Sequence, residues 1–89
     1  MAKIVIENFM TSELGLSGNQ LVLYAHLWAE SKQGTQTVGD DYAKYSAAIN
    51  VTIPTYYSTR NSLVSRGLVV KDGQVLKVAR PQNKKYYKR

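Results

Sequence analysis

The sequence predicts one α+β domain in which helices pack against a small antiparallel sheet. Its 89 residues suffice for a single hydrophobic core, and a hydrophobic content of 44% is typical of chains that fold. Three stretches carry apolar residues at helical spacing. Short β-type runs follow the first and the third of them, and the later run contains an Asp-Gly pair typical of hairpin turns.

The first predicted helix begins within the segment LSGNQL. Ser17 is a suitable N-cap, Gln20 stands at the capping-box position three residues later, and Leu16 can pack against Leu21. Apolar and aromatic residues continue at helical spacing through LVLYAHLWA. We therefore expect this helix to run to about Ser31 and to be the core helix.

A short β-type run over residues 35–38 separates the first helix from the second. Asp40 and Asp41 suit the first turn of the second helix, where carboxylates interact favourably with the helix dipole. Two tyrosines and an isoleucine follow at spacings of three and four. They predict a helix of about ten residues that ends near Ile49 or Asn50.

The third predicted helix has clear signals at both ends. Thr52 is a suitable N-cap, and Pro54 is tolerated because the first-turn amides need no partner within the helix. The helix should end at Arg66, because Gly67 can adopt the left-handed conformation and Leu68 can pack back on the last turn.

Two strands are predicted in LVVKDGQVLKV, joined by a two-residue turn at Asp72 and Gly73. Beyond Ala79 the sequence has no apolar periodicity, so we predict a domain over residues 1–79 and a basic, tyrosine-containing arm over residues 80–89. Near the N-terminus, the run KIVI is suited to pairing with this sheet or with a second copy of the chain, and the pattern favours neither.

Together these elements predict a winged helix-turn-helix. Two helices joined by a tight turn, the second of which leads into a hairpin, are the parts of a helix-turn-helix with a wing. The short strand before the pair completes the small sheet that this fold needs.

The sequence between Ile6 and Val70 also resembles a known family. The segments IENFM, ELGLSGNQLVLYA, AAINVT and LVSRGLVVK are similar to the N-terminal winged-helix domain of phage replisome organiser proteins and related replication initiators. The most distinctive segment is ELGLxGNxLxxYA. The resemblance implies a DNA-binding domain used in replication initiation, with replication proteins as further partners. The chain departs from the family pattern at Arg60, where a core leucine is common.

The basic residues are concentrated toward the C-terminus. Seven of the 12 lysines and arginines, but one of the 6 acids, lie from Lys71 onward, which accounts for the whole net charge of +6. Such asymmetry indicates a polyanionic partner, usually nucleic acid. The alternative is a solvated tail that only aids solubility.

The third helix has a polar outer face without acids. Helical geometry turns Pro54, Ser58, Asn61 and Ser65 away from the core, with Tyr57 beside them. Asn61 is suited to adenine, Ser58 to any base edge, and Tyr57 to a phosphate or a thymine methyl group. An ordinary solvent-facing helix is the alternative.

The candidate DNA-binding residues fall into three groups, and the arm is suited to phosphates or unpaired bases. Arg60 can reach a phosphate or a guanine edge, or can lie along the core boundary. Helices two and three contribute Lys44, Thr55, Tyr57, Ser58, Arg60, Asn61 and Ser65; the hairpin contributes Lys71, Gln74 and Lys77; the arm contributes Lys84, Lys85, Lys88 and Arg89.

Catalysis has no support in the sequence. The single histidine, His26, lies in the apolar stripe of the first helix, and the adjacent Asp40 and Asp41 are explained by capping. Without cysteine there is no disulfide or thiolate metal site, and no phosphate loop or nucleotide fingerprint occurs. We therefore predict no enzyme, cofactor or metal.

The sequence also predicts no membrane span, because the longest apolar stretch is short and is interrupted by His26. We therefore expect a cytoplasmic, sequence-specific binder of double-stranded DNA that acts in replication initiation or transcriptional regulation of a phage or mobile element. A second copy of the chain is a further candidate partner. The rival interpretation is a winged helix that docks a protein through Tyr57, Val64 and the arm.

Overall fold

The computed structural model describes residues 4 and 6–79 of the chain. This part is α+β, as predicted, and its arrangement is compatible with a winged-helix-like fold. The predicted arm, with Lys84, Lys85, Lys88 and Arg89, lies outside the described residues. The elements in chain order are α1 (Asn8–Ser12), α2 (Gly18–Glu30), β1 (Val38–Gly39), α3 (Tyr42–Ala48), α4 (Ile53–Ser65), β2 (Val69–Asp72) and β3 (Val75–Val78).

The three predicted helices are confirmed as α2, α3 and α4, but α3 has 7 residues where about ten were expected. Its end near Ile49 is confirmed, since Ile49 is the C-cap. The difference lies mainly at the start, because Asp41 is the N-cap, where its side chain accepts from the amide of Lys44 at 3.1 Å, and Asp40 precedes the helix. Within the described part of the chain, no helix combines the length and the apolar character needed to cross a membrane.

Helix α1 was not predicted. Its 5 residues bury Phe9 and Met10, and the Phe9 ring lies 5.2 Å from that of Trp28 on α2. Just before it, Ile4 and Ile6 of the KIVI run belong to no strand, and Ile4 packs against the core. Apolar burial therefore explains why this short segment is folded onto α2.

The sheet is antiparallel, with β3 between β1 and β2. Strand β1 begins at Val38, later than the predicted run over residues 35–38, because the backbone just before it closes turns after α2. The amide of Gln36 donates to the carbonyl of Ser31 at 2.9 Å. The hydroxyl of Thr35 donates to the carbonyl of Lys32 at 2.8 Å.

The predicted position of the hairpin turn was wrong by one residue. Asp72 pairs with Val75, so the turn residues are Gly73 and Gln74 rather than Asp72 and Gly73. Gly73 has a φ of +64°, as the first central position of a type II′ turn requires. This register places the buried Val78 opposite the buried Val69, whereas the predicted turn would place Val78 beyond the start of β2.

Local capping accounts for both ends of α4. The hydroxyl of Thr52 accepts a hydrogen bond from the amide of Thr55 at 3.4 Å, as predicted. At the other end, the amide of Leu68 donates to the carbonyl of Leu63, and Gly67 has a φ of +78°. These bonds form the glycine C-cap that the sequence predicts, and they aim the chain into β2.

The predicted capping box of α2 was wrong. Ser17 is the N-cap residue, but its side chain makes no capping hydrogen bond. Gln20 instead accepts a hydrogen bond of 3.4 Å from the guanidinium of Arg66, which follows α4. A contact between two helices has therefore replaced a local one.

The hydrophobic core lies between α2, α4 and the inner face of the sheet, and α1 and α3 cover its sides. Apolar burial at this centre positions α4 so that its opposite face is at the surface. The fully buried large side chains include Tyr24, Leu23, Leu27, Tyr56, Leu63 and Leu76.

Candidate nucleic-acid interface

The outer face of α4 is polar, exposed and free of acids. Pro54, Ser58, Asn61 and Ser65 are exposed, while Tyr56, Leu63 and Thr59 point into the protein. The structure therefore confirms the orientation of this helix that its periodicity predicts.

A shallow groove of about 500 Å³ runs along the later part of this face. One wall is formed by serines and Asn61 of α4, and the other by Gln20 of α2. Arg66 also lines the groove, and its guanidinium donates to the carbonyl of Leu14. Arg66 is therefore a cation fixed beside the α4 face. The sequence identified Arg66 only as the end of a helix.

The hairpin turn lies beside the earlier part of the same helix. A cleft of about 260 Å³ is lined by the predicted site residues Tyr57, Lys71 and Gln74, together with Asp40, Tyr42 and Gly73. The Lys71 ammonium donates a 2.7 Å hydrogen bond to the carbonyl of Gly73, which holds it near the turn. The structure thus brings α4 and the hairpin turn into one surface.

Arg60 does not lie on the exposed face. It is 7% exposed, and its Nη1 donates to Oδ2 of Asp40 in an ion pair. The guanidinium also lies 4.8 Å from the centre of the Tyr57 ring. Of the two roles considered for Arg60, a position at the core boundary matches the structure, and an outward reach to a phosphate does not.

Arg60 also connects the interior to the surface. Its Nη2 and Nε donate to Oδ1 of Asn61 at 2.9 and 3.3 Å. On the inner side, the hydroxyl of Tyr56 donates to Oδ1 of Asp40 at 2.6 Å. Burial, and secondarily this hydrogen bond, raises the pKa of Tyr56, so that the phenol remains a donor well into the alkaline range. We call Tyr56, Asp40, Arg60 and Asn61 the Arg60 network.

The other predicted residues of α3, α4 and the sheet are more dispersed. The ammonium of Lys44 forms an exposed ion pair of 3.0 Å with Glu30. Thr55 is half-buried, and its hydroxyl accepts from that of Thr52 at 3.0 Å. Lys77 is exposed opposite Val70 on the outer face of the sheet. Thr55 therefore serves the start of α4, and Lys44 is free to exchange partners because an exposed pair is weak.

The described residues carry no excess positive charge, since their six basic side chains are matched by six acids. The net charge of +6 therefore comes from residues outside the described part, namely Lys3, Arg80, Lys84, Lys85, Lys88 and Arg89.

Residues 4 and 6–79 contain no group of three or more histidine, cysteine, aspartate or glutamate side chains suited to a metal ion. Burial lowers the pKa of His26 despite the opposing effect of Glu30, which favours the neutral imidazole. His26 lies half-buried on α2.

Comparisons of the chain with protein-family models, with curated proteins and with solved structures found no match.

Proposed function

We propose that this chain is a sequence-specific binder of double-stranded DNA, with α4 in the major groove and the β2–β3 hairpin as the wing. The observation that supports this most directly is that the hairpin turn shares a cleft with Tyr57, which lies at the edge of the acid-free outer face of α4. An acid-free face can approach phosphates without repulsion, and its serines and Asn61 carry groups that bond base edges.

Two cations of the described part, Lys71 and Arg66, lie beside this face. Lys71 stands at the hairpin turn beside the first half of α4, and Arg66 follows its last residue. Because the major groove is about 12 Å wide and admits a helix, and α4 is about 20 Å long, cations near the two ends of the inserted helix can meet phosphates that border the groove. The basic residues beyond Ala79 would add sequence-independent affinity.

The setting proposed for this activity is replication initiation or transcriptional control of a phage or mobile element in the cytoplasm. This part of the proposal comes from the resemblance of the ELGLSGNQLVLYA segment to replication initiators, whose domain also implies replication proteins as partners.

Docking of a protein through Tyr57, Val64 and the arm has less support. Tyr57 and Val64 are half-buried and pack against the core, so they offer little apolar area to a partner. Protein interfaces depend on a few buried apolar or aromatic anchors.

A salt titration of binding to random-sequence duplex DNA tests the proposal. Neutralising several phosphates makes log K fall linearly with log salt, by about 0.9 for each contact. Protein docking predicts no DNA binding with this dependence.

The matched pair of variants is Lys71→Gln and Lys32→Gln, since both lysines are exposed. Lys71 lies at the hairpin turn. Lys32 follows the C-terminal end of α2, whereas Gln20, which lines the groove, is near the N-terminal end of that helix. We expect Lys71→Gln to reduce the dependence of log K on log salt by about 0.9, the value for one phosphate contact. Lys32→Gln should leave this dependence unchanged. Absence of a slope in the intact chain, or equal effects of both variants, would contradict the proposed surface.

A further inference from the structure

We infer that Asn61 is a specificity-determining residue that presents hydrogen-bond donors to DNA and selects guanine over adenine. This inference rests on the proposed DNA binding. It concerns what the outer face of α4 reads, which the presence of an asparagine alone does not decide, because an amide carries both a donor and an acceptor.

The orientation of the Asn61 amide follows from its partner. Arg60 donates to Oδ1 of Asn61 from both Nη2 and Nε, at 2.9 and 3.3 Å. A guanidinium has donors only, so the amide must turn its oxygen toward Arg60. The two lone pairs of that oxygen are both engaged. The NH₂ group is left for a ligand, and Asn61 is exposed on α4.

Arg60 is held in place and cannot readily release the amide. Its Nη1 is paired with Asp40, its guanidinium lies over the ring of Tyr57, and the residue is 7% exposed. The carboxylate of Asp40 is itself fixed by the hydroxyl of Tyr56 at 2.6 Å. The ion pair with Asp40 and the buried position of Arg60 hold the amide of Asn61 in one orientation before DNA binds. The amide is therefore preorganised.

Major-groove chemistry then ranks the bases. An asparagine that reads adenine uses its oxygen for the N6 amino group and its NH₂ for N7. With the oxygen of Asn61 occupied, that bidentate pair cannot form. Guanine presents two acceptors, O6 and N7. Adenine and thymine present one each, N7 and O4, and cytosine presents only an amino donor. We therefore expect guanine first, adenine and thymine next, and cytosine last.

The experiment is a selection on random duplex DNA, carried out with the intact chain and with Asn61→Ala. The base pair that faces Asn61 is the one at which Asn61→Ala removes the preference. At that pair we expect guanine to be favoured over adenine by about tenfold. A preference for adenine there would overturn the inference and leave the proposed DNA binding intact. Failure of the intact chain to bind duplex DNA would instead overturn the proposed function, and the inference with it.

Two further variants test the role of Arg60 as the positioning residue. The double substitution Asp40→Asn with Arg60→Met removes both charges of the ion pair at once. It also frees the oxygen of Asn61 from Arg60. We expect adenine to gain on guanine by about tenfold at this pair, with the fold checked by circular dichroism. An unchanged preference in the folded double variant would contradict the assignment.

The second variant, Asn61→Asp, preserves the acceptor that Arg60 needs, so folding should be retained. It replaces the outward donor by an acceptor of the same shape. We expect the guanine preference to disappear and cytosine, which offers an amino donor, to gain. A guanine preference that survives this exchange would show that the NH₂ group of Asn61 does not read the base.

Discussion

Asp40 links the hairpin turn to the middle of α4 through a bond to Gln74 on one side and to Tyr56 on the other. Its amide donates to the carbonyl of Gln74 at 3.0 Å, and its carboxylate accepts from the hydroxyl of Tyr56 at 2.6 Å. The same carboxylate pairs with Arg60. One residue between β1 and α3 therefore fixes the relation of the two parts of the proposed DNA-binding surface.

Loss of Arg60 should be strongly destabilising. Its side chain and that of Asp40 are 9% and 11% exposed, so Arg60→Met leaves a nearly buried carboxylate without its cation. Breaking such a pair typically costs about 3–5 kcal/mol of unfolding free energy. Adding Asp40→Asn removes the unpaired charge and should recover a large part of the loss. Urea denaturation measures both variants.

The control for this prediction is Lys44→Met, which breaks the exposed ion pair with Glu30. Solvent screens that pair, so the expected cost is below about 1 kcal/mol. Equal losses for Arg60→Met and Lys44→Met would show that burial does not strengthen the Arg60 network.

Alkaline pH should destabilise the fold through its buried tyrosines. Burial, with smaller effects of Glu30 and the neighbouring aspartates, raises the pKa of Tyr45 from 10.0 to about 12. A phenol with a raised pKa in the folded state stabilises fully below pH 10.0 and loses that contribution as pH rises toward about 12, since the unfolded chain releases the proton first.

As pH rises from 10.0 to about 12, we therefore expect the unfolding free energy of Tyr45→Phe to fall less than that of the intact chain. Urea titrations at several alkaline pH values measure the difference. Some loss should persist in the variant, because the pKa of Tyr56 is raised as well. Identical pH profiles would rule out ionisation of Tyr45 as a cause of alkaline unfolding.

Gly67 should be needed for its backbone conformation alone. Its φ is +78°, and a Cβ placed there meets no atom within 4 Å. Gly67→Ala therefore tests the left-handed C-cap of α4 without a steric clash, at an expected cost of about 1–2 kcal/mol.

Gly39 in β1 supplies the comparison, because a Cβ there also meets nothing and its φ is outside the left-handed region. We expect Gly39→Ala to be neutral or slightly stabilising in thermal unfolding. A similar loss for both variants would point to something other than backbone strain at Gly67.

The parts of the fold set by neighbouring residues were predictable. The caps of α4 at Thr52 and Gly67 use bonds between residues three to five apart, so the sequence shows both partners together. Helix α1 escaped prediction because 5 residues are too few to show a period. The hairpin turn was misplaced because its register depends on the pairing of Val69 with Val78 as well as on the turn residues.

The candidate site was predictable only as a face. Helical periodicity places Ser58 and Asn61 outside, but no local pattern shows that Arg60 pairs with an aspartate 20 positions earlier in the chain. The same holds for Arg66, whose bond to Gln20 joins residues 46 positions apart. Such long-range contacts decide which polar groups remain for a ligand, and they arise only when the helices pack.

An acid introduced on the outer face of α4 should weaken DNA binding more than the same charge elsewhere. Ser58 is exposed and lines the groove on α4, so Ser58→Asp places a carboxylate where the proposed complex brings base edges and phosphates. Gln36→Glu adds one negative charge with little change of shape in the exposed turn after α2. At the partly screened distances of an interface, like charges repel by enough to expect about a tenfold loss of affinity for Ser58→Asp, and a much smaller one for Gln36→Glu. Fluorescence anisotropy with one labelled duplex at fixed salt compares them. Equal losses would mean that only the net charge matters, and α4 would then have no special place in the complex.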